Sequence, residues 1–180
     1  CTRRSSPASP SSPSTTRSAG SAASRFAETT ASAMARPAAG SVIRINRDGG
    51  VPSDNPFADG KKAAPEIWSI GHRNPQGATL NRSTGRVWTV EHGAQGGDEI
   101  NLPDPGRNYG WPTVNGRCDT PEEREFCRAY NVVESVAEWT PTVGMSGADI
   151  YVHDLIPGWK GNILVTSLRG RSLFRVTLGP

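Results

Sequence analysis

The chain has 180 residues, enough for one ordinary domain, but its apolar content of 34% and mean hydropathy of −0.51 are low for a fully packed protein. Its formal charge of +3 is unevenly placed, because residues 1–40 carry +4 and residues 41–180 carry −1. The basic surplus therefore gives no reason to expect nucleic-acid binding, and no apolar run reaches the roughly 18 residues that a membrane helix needs.

Residues 1–40 are rich in Ser, Ala, Arg and Pro and contain one acidic residue, Glu28. This composition predicts a low-complexity, disordered tail. A transit peptide or a mistaken gene model would have the same composition, whereas a secretory signal would need an apolar segment that the tail lacks. The chain begins with Cys1 instead of Met, so we expect that an N-terminal stretch is missing.

Short apolar or alternating runs separated by turn residues predict a series of β-strands after the tail. They cover residues 41–45, 66–70, 78–80, 86–90, 99–102, 148–152, 162–167 and 173–178. Residues 103–131 are polar and rich in Pro and Gly, which predicts a long loop with a helical turn at 121–126. Because no segment has a helical period over eleven residues, we expect an all-β sandwich, barrel or propeller.

Two cysteines lie within the long predicted loop. The spacing of Cys118 and Cys127 fits no zinc-binding pattern. A local disulfide, which would suit an exported protein, and two free thiols are both compatible with the sequence.

Residues 71–77 form the densest group of chemically active side chains. Arg73, Asn74 and Gln76 stand between two predicted strands, bracketed by glycines. Loops on a rigid scaffold often carry binding groups, and Arg and amide side chains suit carboxylate and carbonyl oxygens. A polar turn that satisfies its own backbone would have the same composition.

Two further groups follow along the chain. Residues 91–99 combine acidic side chains with His92 and three glycines, which suits a hard cation such as Ca²⁺ but also an ordinary acidic loop. Residues 108–112, with the sequence NYGWP, are typical of a buried aromatic corner. His153 and Asp154, at a strand end, are typical of an ordinary turn.

In this order, the three groups resemble the glucose/sorbosone dehydrogenase family of soluble aldose sugar dehydrogenases. The resemblance extends over residues 41–178 and includes the later motifs WTP at 139–141, PGWKGN at 157–162 and SLRG at 167–170. It implies a partial six-bladed β-propeller of about two to three blades in residues 41–180. It also implies two cofactors, pyrroloquinoline quinone (PQQ) and Ca²⁺.

The resemblance assigns roles to residues at matching motif positions. Those implied to contact the quinone are Arg73, Asn74, Gln76 and Arg169. A first calcium ion would be bound by the backbone carbonyls of Gly93 and Ala94. A second would be bound by Glu99, Tyr109 and Asp119.

The implied reaction is oxidation of the C1 hydroxyl of a sugar to a lactone, with hydride transfer to the quinone and a later electron acceptor. The family's catalytic base is a His on an earlier blade. His72, His92 and His153 occupy other motif positions, so no catalytic residue is assigned, and we expect an incomplete, inactive chain. The resemblance also implies a periplasmic or secreted location, and a homodimer is left open.

Two alternatives remain. A non-catalytic calcium-binding β-propeller or carbohydrate-binding module would keep the scaffold without the base. A structural β-domain with a disordered basic linker would need neither cofactor, and the proposed calcium loop counts against it.

Overall fold

The computed structural model describes residues 40–178, so the predicted tail lies almost wholly outside the described residues. Within that range the chain forms nine strands and one helix. The strands are β1 (Ser41–Ile43), β2 (Ile67–Ile70), β3 (Pro75–Asn81), β4 (Arg86–Glu91), β5 (Asp98–Asn101), β6 (Ala137–Trp139), β7 (Met145–Ile150), β8 (Ile163–Ser167) and β9 (Ser172–Val176). The helix, α1 (Pro121–Tyr130), stands between β5 and β6.

The strands form three antiparallel sheets in which sequential strands are neighbours. The first sheet pairs β1 with β2, the second has the order β3-β4-β5-β6, and the third has the order β7-β8-β9. This repetition of up-and-down sheets along the chain is the arrangement of propeller blades. The predicted all-β class and partial propeller are confirmed.

The hydrophobic core lies between the second and third sheets. It is formed by fully or nearly fully buried side chains, namely Trp88, Val90, Ile100, Met145, Ile150, Ile163 and Val165. Gly77 in β3 lies so close to β7 that an added Cβ would be 2.9 Å from the Ser146 carbonyl oxygen. The two first strands of these sheets therefore lie side by side, which fixes the sheets relative to each other.

The eight predicted strands are present, with ends that differ by up to three residues. The sequence patterns do not predict β6, which has only three residues and pairs with β5 at the edge of the second sheet. A strand this short gives no alternation to detect.

Helix α1 is longer than the helical turn predicted at 121–126. Thr120 and Glu123 form a capping box at its start, Pro121 occupies the first turn, and Asn131 ends it in the left-handed conformation. No residue of the helix is buried, so core packing contributes little to its stability. A disulfide between Cys118 and Cys127 joins the helix to the preceding loop and settles the question that spacing left open.

None of the helical structure within residues 40–178 is long and apolar enough to cross a bilayer.

Candidate functional site

The predicted site segments meet at one edge of the sheets. Strand pairing places the start of β3 beside the end of β4, through Pro75 and Glu91, and the start of β5 beside the same residue. The start of β7 pairs with the end of β8 through Met145 and Ser167. The two sheets are joined here, because Nε2 of His92 contacts the carbonyl oxygen of Met145. We call this edge, with its connecting loops, the loop edge.

Residues 71–74 are held in place at the loop edge by close backbone packing. Gly71 has a φ of +79°, and a Cβ at this position would lie 2.3 Å from Oδ1 of Asn108, so no other residue fits without a shift. The Glu91 carboxylate accepts hydrogen bonds from the backbone N–H groups of Arg73, at 2.7 Å, and Asn74, at 3.1 Å. The backbone that presents these two side chains is therefore fixed before any ligand binds.

The Arg73 guanidinium lies 5.2 Å above the Trp111 ring, and its Nη1 donates to the His92 carbonyl oxygen at 3.0 Å. Its Nε is buried and has no hydrogen-bond partner among the described residues. A buried, unpaired donor on a cation is costly unless an additional group binds it. A carboxylate or quinone oxygen would accept a hydrogen bond from this Nε–H group.

Asn74 and Gln76 lie beside Arg73 at the start of β3. Nε2 of Gln76 donates to Oδ1 of Asn74 at 2.7 Å on the protein surface. The structure therefore brings together three of the four residues predicted to contact a quinone.

Arg169, the fourth, lies in the turn between β8 and β9 and is exposed. Its backbone N–H donates to the Val143 carbonyl oxygen at 3.0 Å. It shares the loop edge with Arg73 but belongs to the neighbouring sheet.

The loop that contains Gly93 and Ala94 is closed tightly on itself. A Cβ on Gly93 would lie 1.6 Å from the Gly96 carbonyl oxygen, so only glycine is tolerated there. The N–H of Gly93 donates to Asp98 and that of Ala94 to Asn115. The carbonyls of Gly93 and Ala94 accept no hydrogen bond from the described residues, which fits the predicted role of carbonyl ligands for a hard cation.

The Glu99 carboxylate is buried close to a second carboxylate. It accepts hydrogen bonds from the Gly116 N–H and the Asn101 amide, each at 2.8 Å, and the same amide also donates to Glu91 at 2.8 Å. Burial, followed by the charge of Glu91, raises the pKa of Glu99 to about 7. A bound cation would offset both effects.

Of the two other residues predicted to bind the second calcium ion, Tyr109 is buried and Asp119 is exposed. The Tyr109 hydroxyl donates to the Leu102 carbonyl oxygen at 2.6 Å and accepts from the Asp104 N–H at 3.0 Å, so it is already engaged. Asp119 is exposed just before α1.

A small cavity at the loop edge is lined by several of the predicted residues. These are Arg73, Gly93, Glu99 and Tyr109. Asp119 does not line this cavity, and within residues 40–178 no three acidic, His or Cys side chains form a metal cluster.

A buried hydrogen-bond network, which the sequence patterns do not predict, lies beneath the site. Nε2 of His72 lies 2.8 Å from Oγ of Ser69, and its Nδ1 lies 3.1 Å from Oε1 of Glu91. The order of groups matches a hydrolytic triad, but Ser69 and His72 are fully buried, so no substrate reaches the hydroxyl. No local sequence signal separates such buried polar groups from those of an exposed turn.

The sequence profile of the family described as Glucose / Sorbosone dehydrogenase matches residues 18–180, starting within the segment predicted as a tail. The aldose sugar dehydrogenase YliI of Escherichia coli is 35% identical over 139 residues, which are 74% of this chain and 37% of the relative. The quinoprotein glucose dehydrogenase B of Acinetobacter calcoaceticus is 30% identical over an alignment of 195 residues, with 78% of this chain and 40% of the relative covered.

The fold is similar to that of a solved aldose sugar dehydrogenase from Streptomyces coelicolor in its PQQ-bound form. The TM-score is 0.60 at 29% identity, with 78% of this chain and 36% of that chain covered. The chain thus spans about two-fifths of the length of the proteins that it matches.

Proposed function

Since the chain belongs to the glucose/sorbosone dehydrogenase family, we propose that its loop edge is part of the PQQ and calcium site of a sugar-oxidising enzyme. The observation that carries this proposal is Arg73. Its guanidinium lies over Trp111 with a buried, unpaired Nε, in the same cavity as Gly93. A planar, anionic ligand would satisfy this donor.

The residues proposed to hold PQQ are Arg73, Asn74, Gln76 and Arg169. PQQ supplies the electron-accepting quinone for oxidation of an aldose at C1 to a lactone. Arg73 would bring positive charge to the oxygen atoms of the bound group, on a backbone already fixed by Glu91. Asn74 and Gln76 would offer amide groups from the surface beside it.

The first calcium ion is proposed to bind the carbonyls of Gly93 and Ala94, whose N–H groups are held by Asp98 and Asn115. With the N–H groups fixed, both carbonyl oxygens remain for a cation.

The second calcium ion is proposed to bind Glu99, Tyr109 and Asp119. The raised pKa of Glu99, caused by burial and by Glu91, supports a cation at this carboxylate. Because the Tyr109 hydroxyl is engaged, only its backbone carbonyl would serve. The exposed Asp119 is kept in this set on the resemblance alone.

None of the three histidines is proposed as the base that removes the sugar hydroxyl proton. His72 is buried, His92 contacts the Met145 carbonyl, and His153 follows β7 at the edge opposite the loop edge. We therefore propose that this chain alone does not oxidise sugar. The proposal includes an aldose substrate and an electron acceptor, and the disulfide supports a periplasmic or secreted location.

The second candidate is a non-catalytic calcium-binding propeller or carbohydrate-binding module. The carbonyl pair at Gly93 and Ala94, together with Glu99, favours it because these groups need only calcium. It differs from the first candidate in predicting no affinity for PQQ.

The test is reconstitution of the 180-residue chain with PQQ and CaCl₂, followed by removal of unbound cofactor. We expect the chain to retain visible quinone absorbance while failing to reduce a redox dye when glucose is added. Calcium binding without retained quinone would favour the second candidate, and sustained dye reduction would contradict the proposed inactivity.

A further inference from the structure

Asp98 connects the loop that follows β4 in the second sheet with the segment that precedes β7 in the third sheet. It is the first residue of β5 and is fully buried. Its Oδ1 accepts hydrogen bonds from the Gly93 N–H at 3.1 Å and the Thr142 hydroxyl at 2.6 Å. Its Oδ2 accepts from the N–H groups of Val143, at 2.9 Å, and Gly144, at 2.7 Å.

The carbonyls of the same two residues bind the turn that contains Arg169. The Val143 oxygen accepts from the N–H groups of Arg169 and Gly170, each at 3.0 Å, and the Gly144 oxygen accepts from the Leu168 N–H at 2.8 Å. Val143 and Gly144 thus connect Asp98 to this turn: their N–H groups bind Asp98, and their carbonyl oxygens bind the turn.

The charge of Asp98 is balanced by hydrogen-bond donors instead of a cation. No Lys, Arg or His among residues 40–178 forms an ion pair with it. Four hydrogen bonds, two to each oxygen, compensate the burial of this carboxylate. Each carboxylate oxygen accepts two hydrogen bonds. An amide in its place would point its N–H₂ group at two hydrogen-bond donors, which cannot bond to it.

We infer that Asp98 is a positioning residue of the proposed cofactor site, which sets Arg169 of the third sheet relative to the Gly93 carbonyl of the second. Gly93 and Arg169 are separated by 76 positions in the sequence, and Asp98 is within two hydrogen-bonded steps of each. The inference rests on the proposed function for the roles of Gly93 and Arg169, but the connection itself can be tested without a cofactor.

The variants are D98N, with D104N as the matched control and T142V as a milder change. Asp104 is half-exposed and pairs with Arg86, so D104N makes the same chemical change away from the segments that Asp98 connects. T142V removes one donor to Asp98 and keeps the side-chain shape.

The first measurement is amide hydrogen exchange on the whole chain. In D98N, we expect protection of Leu168, Arg169 and Gly170 to fall by about tenfold or more, because their acceptors lose their anchor. Amides of the β3–β4 pair should change by less than about twofold, and D104N should match wild type. Unchanged protection at 168–170 in D98N would overturn the inference.

If D98N loses protection in β3–β4 as well, T142V decides the question. A fall of about threefold or more confined to 142–144 and 168–170 supports the inference, and no difference from wild type there overturns it.

The second measurement is PQQ binding in CaCl₂. We expect D98N, or T142V if D98N is unfolded, to weaken PQQ binding at least about threefold and D104N to leave it unchanged. Binding as tight as wild type overturns the positioning role. If wild type binds no PQQ, the proposed function fails, whereas the exchange measurement still decides whether Asp98 anchors the Arg169 turn.

Discussion

Nδ1 of His72 lies 3.1 Å from Oε1 of Glu91, and both side chains are buried beneath the loop edge. Burial acts to raise the pKa of Glu91, but the hydrogen bond and charge of His72, with the backbone N–H groups of Arg73 and Asn74, lower it below its usual value. The ring of His72 stacks on Tyr109 with centroids 4.7 Å apart. The pair therefore connects the proposed quinone loop to the NYGWP segment.

The first prediction concerns Glu91, which accepts four hydrogen bonds. E91Q removes at least one acceptor and points an amide N–H₂ at a buried donor, so we expect the free energy of unfolding to fall by about 2–3 kcal/mol. Urea denaturation followed by tryptophan fluorescence measures this change. E125Q, an exposed change on α1, is the matched control and should differ from wild type by less than about 0.5 kcal/mol. Equal effects of the two variants would show that Glu91 anchors nothing.

The second prediction is a pH dependence caused by Glu99, whose pKa is raised to about 7. Between pH 4.5 and 7 the unfolded chain releases this proton while the folded chain retains it, so stability falls as pH rises through that window. Above pH 7 both states are ionised and the loss is constant, at about 3 kcal/mol.

Unfolding in calcium-free urea at pH 5 and pH 8 tests this assignment. E99Q should show a smaller fall between the two pH values than wild type, whereas E125Q should show the wild-type fall. Parallel pH profiles for wild type and E99Q would mean that Glu99 does not titrate in this range.

The third prediction concerns the disulfide, which closes a loop of about ten residues. Reduction should lower the free energy of unfolding by about 2–3 kcal/mol because the unfolded chain regains loop freedom. The double variant C118S/C127S should match reduced wild type and be insensitive to reductant. If reductant lowers the free energy of unfolding of the double variant by the same amount, the Cys118–Cys127 disulfide is not the cause of the decrease.

The sequence predicted those parts of the site that depend on local patterns. Gly93 is required by a close contact with Gly96, three residues further on, and Arg73 stands in a loop between two clear strands. The eight predicted strands exist because their apolar residues alternate or cluster. These features are readable because neighbouring residues determine them.

The roles of Glu91 and Asp98 could not be predicted, because burial of a carboxylate depends on distant partners. Asp98 is anchored by Gly144, 46 residues further on, and Glu91 by Arg73, 18 residues earlier. Helix α1 is longer than predicted, because its caps and the disulfide stabilise it although none of its residues is buried. The long-range contacts of Glu91 and Asp98 appear only once the topology is known.

Titration of PQQ into the chain, in CaCl₂ and in EGTA, tests the proposed calcium-dependent PQQ site at the loop edge. The titration compares wild type, R73K and the exposed control R82K. We predict that wild type and R82K bind PQQ equally in CaCl₂, and that EGTA or R73K weakens binding by about tenfold or more. If wild type binds PQQ equally in CaCl₂ and EGTA, and R73K binds it as tightly as R82K, then neither calcium nor Arg73 contributes to a PQQ site at the loop edge.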